Sequence, residues 1–548
     1  MNDTPRFDEA HDVIVIGAGS SGSALAGRLT EDPATSVLVL EAGADVNNWL
    51  GNVPTAAVLM VPSKLHNYAF QTVPQPGLNG RRGYVPRGKM LGGSSGINAM
   101  VYIRGQREDY DHWAALGNPG WGWSDVLPYF IKSECNDSFG APLHGQTGPL
   151  KVSQLRSDNP LQHAWVAAGR EAGHAVNADF NGAVQEGIGI YQVTQDRGER
   201  CNAARAYLRP HLARPNLRVR PNAQVQRILF EGRRAVGVEV MVAGELRRLQ
   251  ARREVVLAAG AIQSPQLLML SGVGDAAQLQ VQGIEVRHHL PGVGANLQDH
   301  PDFVFGLHSR SLDTFGLSLG GGGAFWRAVR RYRSERRGML TSNFAEGGGF
   351  LRTSPVQTRP DVQLHFVVAA VEDHARKMRW GHGLSCHVCL LRPRSRGTLR
   401  LASADVNVAP LIDPAFFQHP DDLAQMVAGF KLTREILQQP SLRAHWSREM
   451  WGADARSDSD IEALLRQRVD TIYHPVGTCK MGSDPMAVVD AELRVHGLQG
   501  LRVVDASIMP TLISGNTNAP AMMIGEKAAQ MMQAAARRPA VTEVVSTG

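Results

Sequence analysis

The sequence predicts an α/β protein in which two domains are woven together, and three observations carry this reading. A buried-strand run, a glycine-rich turn, a helix and a second buried-strand run follow one another within residues 12–43. Short β-rich runs return at 199–305 and again at 501–507. Between them, at roughly 306–465, the texture changes to alternating strands and polar helices. A parallel βαβ unit explains the first observation, and a chain that leaves and re-enters one domain explains the other two.

Residues 1–11 form a polar, acidic tail with no apolar stretch before Val13, so no secretory leader is expected. Residues 12–17 (DVIVIG) are a continuous apolar run of buried-strand length. Gly17, Gly19 and Gly22 then form G-x-G-x-x-G, with Ser20 and Ser21 opening a helix in which Ala24, Leu25, Ala26 and Leu29 have helical spacing. The first glycine permits a tight turn, the second lets a pyrophosphate approach backbone, and the third lets helix and strand pack closely. Amides at the helix N-terminus face the phosphates. Residues 36–43 (SVLVLEAG) are the second strand, and Glu41, followed by Ala42, ends it about 20 residues beyond the glycines. A carboxylate there accepts hydrogen bonds from adenosine ribose hydroxyls. It argues against a 2′-phosphate and leaves NAD and FAD both open.

Residues 46–81 lose periodicity and gather Pro, Asn and Gly, as a lid or excursion would. Strands are expected at 217–220 (LRVR), 225–232 (VQRILFEG), 235–240 (AVGVEV), 254–261 (EVVLAAGA), 362–368 (VQLHFVV), 385–391 (SCHVCLL) and 501–507 (LRVVDAS). No internal repeat is evident.

Composition narrows the function classes. Apolar residues are 43% and charged residues 20% of 548, close to globular averages. Glycine, at 57 residues, is in excess without a collagen period, which points to tight turns around a ligand. The balance of +6 rests on 57 basic residues, of which 49 are Arg, interspersed with 51 acids and without long basic runs, so nucleic-acid binding is not expected. Five scattered cysteines fit a reducing compartment rather than a disulfide scaffold, and no apolar run of membrane-spanning length occurs. A cytoplasmic enzyme is the expectation.

Three further stretches narrow the family. PRGKMLGGSSGINAMVYIRGQREDYD (86–111), GAIQSPQLLMLSGVG (260–274), and YHPVGTCKMG (473–482) with LRVVDASIMPTLISGNTNAPAMMIGEKAA (501–529) together resemble the glucose–methanol–choline (GMC) flavin oxidoreductases. The resemblance spans about residues 11–535 and is nearest the bacterial alcohol and choline dehydrogenase branch. It implies FAD, and a fold that is α/β in its Rossmann-like FAD domain and α+β overall. The FAD domain would be interwoven with a substrate domain built on an antiparallel sheet with helices. The expected FAD segments are 8–45, 82–140, 199–305 and 467–540. A lid covers 46–81, and the substrate segments are 141–198 and 306–466.

By the same resemblance, Gly92, Gly93 and Ser94 bring backbone close to the flavin and its diphosphate. Asn98, Ala99, Met100 and Val101 form the turn beside the isoalloxazine ring. Val225 meets adenine, Asp505 and Ala506 hold the diphosphate–ribityl region, and Asn518 positions the flavin through the following helix. Several family members attach flavin through a His just before that Asn; here the position is Ile97, so non-covalent FAD is expected.

Alcohol oxidation removes a hydroxyl proton and a hydride. The resemblance brings His474 and Asn516 together near flavin N5. A neutral imidazole of ordinary pKa near 6.5 is suited to take the proton, and an amide donor holds the substrate oxygen. Glu346, in SNFAEGGGF, is a candidate substrate residue, with a structural carboxylate as the plainer reading. Cys386 and Cys389 beside His387 lack a second ligand pair, so no metal is expected. The Arg-rich 325–340 segment reads as a solvated surface helix, with a peripheral contact to an anionic membrane as the alternative. The expected activity is oxidation of a primary alcohol to an aldehyde, with the electron acceptor open. A choline-type dehydrogenase or an oxygen-using oxidase is the alternative, and a non-redox flavin-containing lyase represents another class.

Overall fold

The computed structural model describes residues 7–318, 321–377 and 379–537. Leu217–Arg220, Val37–Leu40, Glu9–Ile16 and Glu245–Leu257 lie side by side in parallel. All four residues of Val37–Leu40 are buried, as expected of a parallel strand covered on both faces. The first half of Glu245–Leu257 pairs antiparallel with Arg234–Val242, which pairs with Ala223–Glu231. Its last residues pair in parallel with Leu501–Val503, so a strand from far along the chain completes the sheet. The sequence reading began the long strand only at 254. Residues 245–248 (ELRR) are all exposed and three of them are charged, so no hydrophobic alternation marks them.

Helix Ser20–Leu29 packs against helix Asn518–Arg537 beside this sheet. Gly22 makes the turn beneath it feasible: a Cβ there would come within 2.0 Å of the Gly17 carbonyl oxygen.

The second sheet is antiparallel, in the order Arg448–Glu449, Pro301–Ser309, Gly381–Leu390, Val362–Val367, Ala345–Leu351 and Gly187–Ile190. Helices Leu161–Glu171 and Pro420–Leu437 pack against it, over a core that includes Phe303, Phe305, Leu364, Phe366 and Phe430. Strand alternation sends Leu364 and Phe366 into that core and Gln363 and His365 to the opposite face. After Gly187–Ile190, the chain returns to this sheet at Pro301–Ser309, a few residues before 306.

The 46–81 excursion folds as short helical turns at Trp49–Asn52, Pro54–Ala56 and Ala57–Met60 and a strand at Phe70–Gln71. The Arg-rich segment is the helix Gly321–Glu335, starting before 325, with Trp326 71% exposed and Tyr332 buried. Among the described residues no helix is long and apolar enough to cross a membrane.

Candidate active site

A cavity of about 1370 Å³ lies between the C-terminal ends of the parallel strands and the polar face of the second sheet. Ligands in open α/β sheets sit at such strand ends. Gly17, Gly19, Ser20, Ser21, Glu41, Ala42, Gly93, Ser94, Asn98, Ala99, Met100, Val101, Val225, Asp505, Ala506 and Asn518 line it, as do His474 and Asn516. Gly22, Gly92 and Glu346 do not.

At one end the wall is mostly backbone. Glu41 is buried, its two carboxylate oxygens accepting from the amides of Ala18 (3.0 Å) and Gly43 (2.8 Å). Burial pushes its pKa up to about 7. Gly93, at φ +53°, runs against the fingerprint so closely that a Cβ would lie 2.8 Å from the Gly19 Cα. Ser20 Oγ donates to Asn518 Oδ1 at 2.7 Å and ties the last helix to the fingerprint. Asp505 accepts from the Gly260 amide (2.9 Å), Ser264 Oγ (2.5 Å) and the Ser507 amide (2.8 Å), which fixes the strand-to-turn junction.

The middle of the cavity is the 98–101 turn. Asn98 Oδ1 accepts from the Met100 amide at 3.0 Å and from Arg200 Nη1 at 2.8 Å, while Met100 takes φ +57°. Asn343 Nδ2 donates to the Ala99 carbonyl at 2.9 Å. Ile97 lines this stretch and offers no nucleophile.

At the far end side chains take over. Tyr191 Oη donates to the Leu364 carbonyl at 2.6 Å and so accepts from Gln363 Nε2 at 3.2 Å. Gln363 Nε2 also donates to Asn516 Oδ1 at 2.9 Å. With its oxygen thus engaged, Asn516 turns its Nδ2 toward His474 Nε2 (3.3 Å) and His365 Nε2 (3.5 Å). The chain therefore fixes which face of the Asn516 amide meets the two imidazoles.

His474 is aimed by its own backbone. Its amide donates to Asp299 Oδ1 at 2.9 Å, and Thr471 Oγ1 donates to the other oxygen of that buried carboxylate. The preceding residue, Tyr473, is at φ +74°, an uncommon conformation for a bulky residue. It is held there by Arg87 Nη2 on its carbonyl (2.5 Å) and by His374 on its hydroxyl (2.6 Å). Burial drives the His474 pKa well below 6.5, and the neighbouring His300, His365 and Arg87 push the same way. Burial likewise takes His365 down to about 3. Both imidazoles are neutral near pH 7, and the ordinary value near 6.5 assumed for His474 from its residue type gives way to this environment.

Glu346 faces elsewhere. Ser342 Oγ (2.5 Å) and Gln162 Nε2 (2.8 Å) donate to it, whereas its neighbours Asn343, Phe344 and Ala345 line the cavity. Tyr191, Gln363, His365 and Arg87 escaped the sequence reading, which weighed His387 only as a metal ligand. His387 lines the cavity directly across the strand pair from His365, with Nδ1 2.6 Å from Asp302 Oδ2. One signal was available: in VQLHFVV the polar residues Gln363 and His365 alternate with apolar ones, which puts both on one face.

The residues fit a flavin dinucleotide. A Cβ at Gly19 would meet only the Ala258 oxygen, at 3.9 Å, and one at Gly260 nothing within 4 Å, so both turns leave open floor to the cavity. Backbone amides and the Glu41 carboxylate suit an adenosine diphosphate, and the 98–101 turn suits a flat ring. Profiles of the GMC oxidoreductase family match residues 11–302 and 393–525. An alcohol dehydrogenase (acceptor) of Pseudomonas putida is 47% identical over 526 residues, 95% of each chain. An oxygen-dependent choline dehydrogenase of Sinorhizobium medicae is 43% identical over 94% of each chain. The solved structure of an FAD-dependent oxidoreductase from Chaetomium thermophilum superposes with a TM-score of 0.87 at 30% identity, covering 96% of this chain and 100% of that one. Fold, cavity and matches agree: the chain belongs to the GMC oxidoreductases, and it is an FAD-dependent enzyme that oxidises alcohols.

Proposed function

We propose that this enzyme is a dehydrogenase that converts a primary alcohol to an aldehyde, with His474 as the base and Asn516 as the donor that holds the reacting oxygen. The observation that carries the reading is the Tyr191–Gln363–Asn516–His474 chain, which presents an oriented amide beside a neutral imidazole. FAD, when bound, supplies the hydride acceptor. His474 Nε2, kept uncharged by burial, takes the hydroxyl proton. Asn516 Nδ2 steadies the oxygen while it carries developing negative charge. The apolar stretch of Phe315, Phe344, Val367 and Val371 keeps bulk water from that charge.

Glu346 is proposed as a structural carboxylate, because its oxygens are engaged away from the cavity. That placement favours a neutral alcohol over choline. FAD is proposed to be held without a covalent bond, since Ile97 replaces the linking residue. Cysteines that are all free thiols support a cytoplasmic location, and the Gly321–Glu335 helix is proposed to face solvent.

The test is the visible spectrum of the purified protein under anaerobic titration with 1-alkanols and with choline. Bleaching of a flavin band by 1-alkanols supports the reading, whereas no bleaching by any alcohol contradicts it. Acid precipitation should leave the yellow colour in the supernatant, and colour in the pellet contradicts non-covalent binding.

A further inference from the structure

Among the described residues three arginines are almost completely buried: Arg104, Arg200 and Arg502. Two have a carboxylate in contact, Arg104 with Glu134 at 2.6 Å and Arg502 with Glu254 at 2.7 Å. Arg200, 1% exposed, forms no ion pair among the described residues. It closes a hairpin of Gln195–Asp196 and Glu199–Arg200, and the two acids of that hairpin are engaged elsewhere, Asp196 with Arg205 and Glu199 with Arg205 and Arg336. Its Nη1 donates to the Ser95 carbonyl (3.1 Å) and to Asn98 Oδ1 (2.8 Å), while Nε and Nη2 are buried without a partner. Burial alone lowers its pKa, to about 9, which leaves it charged at pH 7.

An unpaired buried charge is costly, and even buried ion pairs can often be replaced by apolar residues of similar volume at no loss of stability. A guanidinium kept in this state acts over distance on whatever lies nearby, because burial removes it from salt and solvent screening. What lies nearby is the 98–101 turn, whose residues line the cavity where the flavin ring is placed by the reading above. That ring system gains negative charge when it accepts hydride.

We propose that Arg200 is a positioning residue with an electrostatic role. It fixes Asn98 from behind, and its uncompensated charge raises the reduction potential of the bound FAD. The proposal rests on the flavin reading of the 98–101 turn. A carboxylate partner of the kind Arg104 and Arg502 possess would cancel the effect.

The test compares the wild-type holoenzyme with Arg200→Met and Arg200→Lys by FAD content per chain and by midpoint potential against a reference dye. The methionine chain should fold and retain FAD, with its two-electron equilibrium shifted toward oxidised flavin about tenfold, close to 30 mV more negative. The lysine chain should stay near wild type. An unchanged potential in Arg200→Met overturns the proposal, as does a lysine potential equal to that of methionine. Failure of the methionine chain to fold also overturns it, since it would show a structural need for the guanidinium. Wild-type protein without FAD would instead refute the flavin reading itself.

Discussion

The two ends of the cavity are built from different materials. The nucleotide end is backbone: Gly19 leaves open floor for a ligand, Gly17 and Gly93 let neighbouring backbone pack closely around it, and Glu41 bonds the Ala18 and Gly43 amides within the same short stretch. The end proposed to be catalytic is side chains drawn from residues 191, 363, 474 and 516, joined by hydrogen bonds between a strand of the second sheet and connecting segments far apart in the chain. A backbone site tolerates change in its side chains but no added volume. A side-chain site tolerates volume at its edges but no break in its chain of donors and acceptors.

Adding volume to the nucleotide end should therefore do the most damage. Gly22→Ala puts a Cβ 2.0 Å from the Gly17 carbonyl oxygen, where only backbone could give way. The purified variant should carry little or no FAD by absorbance, and retention of one FAD per chain would break the comparison. At the catalytic end, Asn516→Ala should keep its FAD and slow flavin bleaching by about 10-fold or more, as loss of a single donor to a developing oxyanion does. Gln363→Leu, which leaves Asn516 in place but frees its orientation, should slow bleaching less and act on the rate constant rather than on the alcohol concentration for half-saturation. Equal rates for Gln363→Leu and wild type would remove Gln363 from the account. Glu346→Gln should have the smallest effect, with neither the rate with 1-alkanols nor the response to choline altered, because glutamine can still bond Ser342 and Gln162. A selective loss of choline turnover would place Glu346 in the substrate site after all.

The same contrast explains what the sequence made legible. The fingerprint, its two strands and Glu41 are contiguous, and each has a local reason that can be read without knowing the rest of the chain. Asp505 and His474 became visible through segments whose likeness to a family is specific. Gln363, His365 and Tyr191 were missed because their roles arise only when the second sheet turns one face toward the cavity, and the alternation in VQLHFVV told the face but not its neighbour. The exposed start of Glu245–Leu257 was missed for the opposite reason, since charged residues on a solvated strand carry no period. Most consequential was the environment of His474. Its residue type suggests a value near 6.5, and only the packing of His300, His365 and Arg87 around a buried ring shows that it is lower.

That lowered value supplies the most direct test. A base whose pKa is depressed in the folded protein is uncharged at and above neutral pH, and it is lost only as pH falls through the depressed value, below 6.5. In the wild-type holoenzyme, anaerobic bleaching by a 1-alkanol should be flat across neutral and alkaline pH and decline only in acid. His474→Ala should retain FAD, bleach about 10²–10⁴-fold more slowly and lose the acid decline. Near wild-type bleaching in His474→Ala, with the acid decline intact, would place the base elsewhere and contradict the central assignment.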